Sequence, residues 1–244
     1  MIVLGIDTAG PASGVALVEE GHVLAALFMR QPSAFSRLLL PSIDRLLVWT
    51  GYTLADLAGI VVNVGPGVFT GLRIGLATAQ GLALAGGKPL VGCSTFEALL
   101  ALVPCWEGAI CPVIEARRGE VYAALYSRQS GQVQEQLPGM VVAPEALCAL
   151  IEERTLFVGS GVKHYGATFL AALGDRAVCM DTGVEEVGLA VSLARVGQAR
   201  LQAAQAGKEP FPTPLYIRPA EARLPRRTAQ EAIIALPPWS VLLE

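Results

Sequence analysis

The sequence predicts an α/β chain of two related lobes. Three short apolar runs at the N-terminus are joined by turn residues and followed by helix, strand, helix and strand patterns. That order starts again near Ile110. The 244 residues are 53% hydrophobic and only 16% charged, which is enough apolar material for one large domain or two small ones.

In order along the chain, residues 2–6, 12–18 and 23–28 read as antiparallel strands. The turn chemistry of Asp7-Thr8-Ala9-Gly10-Pro11 and Glu19-Glu20-Gly21-His22 separates them. Residues 36–50 place Leu39, Ile43, Leu46 and Leu47 at helical spacing, with Pro41 expected to kink the first half. Residues 59–64 form a buried-type strand and 70–85 a helix. Residues 89–93 form another strand, and Ser94-Thr95-Phe96-Glu97 is a capping box that opens a helix. The second series has strands at 110–115, 120–127 and 132–142, a helix at 145–153, a strand at 155–158 and a helix at 161–173. It ends with a short strand at 178–180 and a long helix at 184–206. Two anchors support a duplication. Ile6-Asp7 matches Ile114-Glu115, and Val64-Gly65-Pro66-Gly67-Val68 matches Val158-Gly159-Ser160-Gly161-Val162. The expected division is a lobe over 1–105, a lobe over 106–218 and an irregular Pro-rich tail over 219–244.

Composition narrows the function. Lys+Arg 18 against Asp+Glu 21 gives a net charge of −3, without the basic excess of a self-standing nucleic-acid binder. So few charges imply apolar surface covered by another subunit. The N-terminus lacks a signal-peptide pattern, and no apolar run approaches the length of a membrane helix. Five scattered cysteines without a CxxC spacing fit reduced thiols in the cytoplasm, and two histidines without a Cys/His cluster predict no metal site.

The densest signal is Gly65-Pro66-Gly67-Val68-Phe69-Thr70-Gly71-Leu72-Arg73-Ile74-Gly75. It matches neither the Walker A nor the GxGxxG pattern. Gly71, Gly75, Ala79 and Ala83 recur every four residues and make a flat stripe. Each glycine inside a helix costs about 1 kcal/mol relative to Ala, so a close contact is needed in return. That contact is either the chain's own strand layer or a helix of another subunit. In the second lobe, Glu115-Ala116-Arg117-Arg118-Gly119-Glu120 occupies the turn that matches Asp7-Thr8. Its charges either pair with one another, face a partner, or bridge the lobes.

These segments, with Ile2-Val3-Leu4-Gly5-Ile6-Asp7-Thr8, Pro89-Leu90-Val91-Gly92-Cys93-Ser94-Thr95 and Ala116-Arg117-Arg118-Gly119-Glu120-Val121-Tyr122-Ala123, closely resemble the TsaB (YeaZ) family. The similarity runs to Tyr216-Ile217-Arg218 and is weak over 208–244. Val68 and Ala9 stand where family members usually carry Ser. The resemblance implies an actin-like, two-lobed ASKHA (ribonuclease H-like) fold with duplicated βββαβα lobes. It also implies a non-catalytic subunit in the synthesis of N6-threonylcarbamoyladenosine at position 37 of tRNAs reading codons that begin with A. The implied partners are a TsaD-like catalytic subunit and a TsaE-like ATPase, with a homodimer when the chain is alone and tRNA bound only through the complex.

The catalytic paralogue holds a metal through a His-x-x-x-His pair. Those two places align with Thr95 and Leu99 here, which implies no catalytic residues and no metal. The resemblance places the interface on Leu39, Ile43, Leu46, Phe69, Gly71, Leu72, Arg73, Gly75, Leu76 and Ala79. Inter-lobe or partner contacts are expected from Asp7, Thr8, Arg117, Arg118 and Glu120. No cofactor is expected on the chain alone, and ATP or ADP is expected at the complex. Two other classes compete: a glycoprotease-type peptidase, and an ATPase or sugar kinase of the same fold.

Overall fold

The computed structural model describes residues 1–30, 35–183, 188–203 and 211–217. The tail over 219–244, with the small basic patch that Arg223, Arg226 and Arg227 would supply, and both ends of the helix expected over 184–206 lie outside the described residues. The chain opens with β1 (Ile2–Asp7), β2 (Ser13–Glu19) and β3 (His22–Met29), all antiparallel. There follow α1 (Phe35–Thr50), β4 (Gly59–Asn63), α2 (Phe69–Gly86), β5 (Leu90–Cys93) and α3 (Thr95–Leu100). β4 pairs parallel to β1 and β5 parallel to β4, so the first sheet runs β3-β2-β1-β4-β5. The second half supplies β6 (Gly108–Glu115), β7 (Val121–Gln129), β8 (Gln132–Val142), α4 (Pro144–Cys148), β9 (Thr155–Val158), α5 (Ser160–Leu173), β10 (Ala177–Met180) and α6 (Ala190–Ala203). Its sheet, read β8-β7-β6-β9-β10, repeats the first strand for strand.

Alternation along β1 explains the layers. Leu4 and Ile6 point to one face, where α1 and α2 cover them with Leu39, Ile43, Leu46, Leu76, Ala79 and Ala83. Val3 points to the other, with Val61 and Val91, against Leu193, Ala194 and Leu201 of α6. That second layer continues into the second sheet through Leu99, Leu100, Ile110, Leu156 and Val158, so one core joins both lobes. A third core lies beneath α4 and α5 around Phe157 and Phe169, whose rings stack at 4.5 Å.

α1 runs through Pro41 as one helix. Two expectations change. The helix expected over 145–153 is only Pro144–Cys148. The last helix starts at Ala190, because Gly188 lies at φ 65°, outside helical space. α6 also departs from the expected lobe boundary, since it comes late in the chain yet packs on β1, β2 and β4 of the first sheet. The capping box at Ser94 is present, with Ser94 Oγ accepting from the Glu97 N–H and Glu97 Oε2 accepting from the Ser94 N–H. Among the described residues, no helix is long and apolar enough to cross a membrane.

The small-residue stripe faces inward. Gly71, Gly75, Ala79 and Ala83 are buried. A Cβ on Gly71 would strike the Thr8 carbonyl, and one on Gly75 would strike the Thr8 hydroxyl. The stripe lets α2 press on the β1–β2 turn, where Thr8 Oγ1 donates to the Gly71 carbonyl at 2.7 Å. Gly71→Ala is therefore expected to lower stability by about 1–3 kcal/mol in urea denaturation, through overpacking against Thr8. An unchanged midpoint would show that the turn gives way freely.

Candidate functional site: the interlobe cleft and the outer face of α2

A cleft of about 1000 Å³ opens between the lobes. Its floor is built where β1 and β4 end. Asp7 closes β1 with its carboxylate buried. Oδ1 accepts from the Ala9 N–H at 3.1 Å and from Asn63 Nδ2 at 2.9 Å, and Oδ2 accepts from the Leu189 N–H at 2.7 Å. Burial pushes the carboxyl above its ordinary range, against the pull of these three donors. Asn63 is buried as well. Its Oδ1 accepts from the Gly65 N–H at 2.8 Å and from Thr95 Oγ1 at 3.0 Å. The Thr95 hydroxyl also lies 2.7 Å from the Pro66 carbonyl.

The second lobe contributes the turn between β6 and β7. Arg117, Arg118 and Gly119 line the cleft, and the Ala116 N–H donates to the Glu120 carbonyl at 2.9 Å to close the turn. Arg118 and Gly119 both lie in left-handed backbone, at φ 68° and 75°. Beside them the Glu115 N–H donates to Ser160 Oγ at 3.0 Å, and His164 Nε2 stands 3.3 Å from Glu115 Oε2. The first turn of α2 (Phe69 and Thr70) and the chain at Leu215, Tyr216 and Ile217 complete the lining.

The sequence-derived residues thus separate. Asp7, Arg117 and Arg118 line the cleft, Thr8 is buried behind it, and Glu120 does not line it. Of the expected interface residues, Phe69 and Arg73 are exposed. Leu39, Ile43, Leu46, Gly71, Leu72, Gly75, Leu76 and Ala79 are buried in the chain's own first lobe and are corrected to core. The outer stripe of α2 is Arg73, Ala77, Gly81 and Leu84, and Leu84 is 70% exposed. A Cβ on Gly81 would meet none of the described residues within 4 Å.

Sequence reasoning missed Asn63 and, apart from Arg73, this outer stripe. A lone polar residue ending a strand of apolar ones was the available signal for Asn63. Among the described residues, no group of three or more His, Cys, Asp or Glu is placed to hold a metal ion. The cysteines are free thiols, and burial pushes Cys93 up to about 11.

A family model described as TsaD, tRNA N6-adenosine threonylcarbamoyltransferase, matches residues 31–224. The Bacillus subtilis tRNA threonylcarbamoyladenosine biosynthesis protein TsaB is 30% identical over 225 residues, which span 91% of this chain and 96% of that protein. Its Escherichia coli namesake is 38% identical over 135 residues, 54% of this chain and 58% of that protein. A Pseudomonas aeruginosa structure described as similar to the peptidase YeaZ superposes with a TM-score of 0.70 at 28% identity, covering 89% of this chain and 99% of that one. A ROK hexokinase from Thermus thermophilus superposes at 0.52 with 11% identity, covering 84% and 100%, and shows the fold alone. The two-lobed actin-like α/β fold expected from the sequence is the one observed.

Removing the Asp7 carboxylate would leave two buried N–H groups and the Asn63 amide without their acceptor. Asp7→Ala is expected to cost about 3 kcal/mol in urea denaturation. Because the folded carboxyl binds its proton more tightly than the unfolded one, its contribution falls as pH rises from about 4 through the folded value. Asp7→Asn lacks that slope. Parallel stability–pH curves for Asp7→Asn and the parent would refute the assignment.

Proposed function

The chain belongs to the TsaB family of tRNA threonylcarbamoyladenosine biosynthesis proteins, and we propose that it acts there as a non-catalytic subunit that assembles with a TsaD-like catalytic partner. The observation that carries the proposal is the state of Thr95 and Leu99, the positions aligned with the paralogue's metal-binding pair. The Thr95 hydroxyl is committed to Asn63 and Pro66, and Leu99 is packed in the core shared by the lobes. A hydroxyl spent on the cleft floor and a buried leucine do not make an imidazole-type ligand set. In this reading the chain holds no cofactor of its own. ATP or ADP is bound at the complex with the TsaD-like subunit and a TsaE-like ATPase, tRNA is bound through that complex, and the assembly is cytoplasmic.

The assembly face in this reading is the outer side of α2, together with the α1 side chains Leu40, Val48 and Trp49. Gly81 supports it. A mid-helix glycine costs about 1 kcal/mol relative to Ala, and none of the described residues requires this one. With Ala77 it makes a flat outer surface that another backbone can approach closely. The same face serves a homodimer when the partner is absent.

Gly81→Leu separates assembly from folding, because its side chain enters open space. The variant is expected to be at least as stable as the parent, yet to capture the TsaD-like subunit at least tenfold less well in a pull-down and to lose self-association in light scattering. Undiminished capture would move the interface away from α2.

A further inference from the structure

The last described segment lines part of the cleft. Residues 211–217 form neither helix nor strand, yet they are held along their length. Gln80 Nε2 donates to the Pro212 carbonyl at 3.5 Å, and the Leu215 N–H donates to the Val64 carbonyl at 2.7 Å, just beyond the end of β4. The Tyr216 ring lies 5.2 Å from the Phe69 ring, and Arg73 Nε donates to the Tyr216 hydroxyl at 3.2 Å. The Arg73 guanidinium stands over the Phe69 ring, 3.9 Å from its centre. Ile217 then reaches the second lobe. Its Cδ1 shares the space over Gly139 of β8 with the Phe96 ring of α3: a Cβ there would lie 2.9 Å from Ile217 Cδ1 and 3.0 Å from Phe96 Cε2.

Among the described residues the lobes meet in several places, the Arg128 bonds to the Leu100 and Val103 carbonyls included, and two of these contacts matter here. On one side is the shared core of Val61, Leu99, Ile110 and Leu156. At the cleft is this strap, with Leu215, Tyr216 and Ile217 among its lining residues and the Leu215 N–H bonded to the Val64 carbonyl beside the floor. A hinge needs a packed pivot and a contact that can let go. The core supplies the pivot. The strap supplies the contact, because Phe69 and Tyr216 are 43% and 44% exposed and a ring–ring contact at the surface is far weaker than a core. We infer that residues 211–217 are a latch that holds the two lobes at their present separation, with the Phe69–Tyr216–Arg73 stack as its catch. Losing the stack frees Ile217 from Gly139, and the lobes open about the shared core.

The test uses the full chain with Cys105→Ser and Cys179→Ser, spin-labelled at Asp44→Cys on α1 and Ala171→Cys on α5, both exposed positions on opposite lobes. Pulsed electron paramagnetic resonance reads the distance between them. Tyr216→Ala and Ile217→Gly are each expected to shift the distribution to longer distances and broaden it. Tyr216→Phe, which keeps the ring, is expected to stay near the parent. Circular dichroism confirms that the variants fold. Distributions for Tyr216→Ala and Ile217→Gly that superpose on the parent's would overturn the latch.

Discussion

One buried carboxylate ties the first lobe together. Asp7 gathers donors from its own turn, from β4 through Asn63, and from the entry to α6 through Leu189. The neighbouring Thr8 fastens the same turn to α2 through the Gly71 carbonyl. Four segments distant in sequence thus meet at one corner, and the cleft floor is the outer side of that corner. A carboxylate in this position costs desolvation, and the fold retains it by supplying three donors. Its work is to hold α6 on the first sheet and to end β1 in register with β4.

α2 then has two faces with different duties. The inner face uses glycine to let the helix axis close on Thr8, and the contact is internal. The outer face repeats the small-residue pattern with Ala77 and Gly81, and none of the described residues requires a glycine at 81. Small residues at four-residue spacing therefore carry two meanings on one helix, and only the burial of each residue tells them apart.

Much of this was legible in the sequence. Turn residues between apolar runs placed the three-strand openings of both lobes, and the duplicated order survives as two sheets of one topology. The Ser94 cap was readable because its hydrogen bonds are local. Tertiary facts were less so. Leu39, Ile43 and Leu46 share a helical face, and that spacing is the same whether the face meets a partner or the chain's own sheet. α6 on the first sheet, and the strap at the cleft, depend on contacts more than a hundred residues apart. The single helix expected over 184–206 is interrupted at Gly188, because composition alone does not reveal a left-handed turn there.

In the proposed role, this chain serves threonylcarbamoylation through assembly and not through chemistry in its own cleft. Modification of tRNA in a reconstituted system, with complex formation measured in the same samples, tests it most directly. An Arg117→Ala/Arg118→Ala double variant, altered only in the cleft-lining turn, should form the complex and modify tRNA at close to the parental rate. An intact complex whose rate has fallen by about 10²-fold or more, the loss typical of a missing catalytic group, would contradict the account.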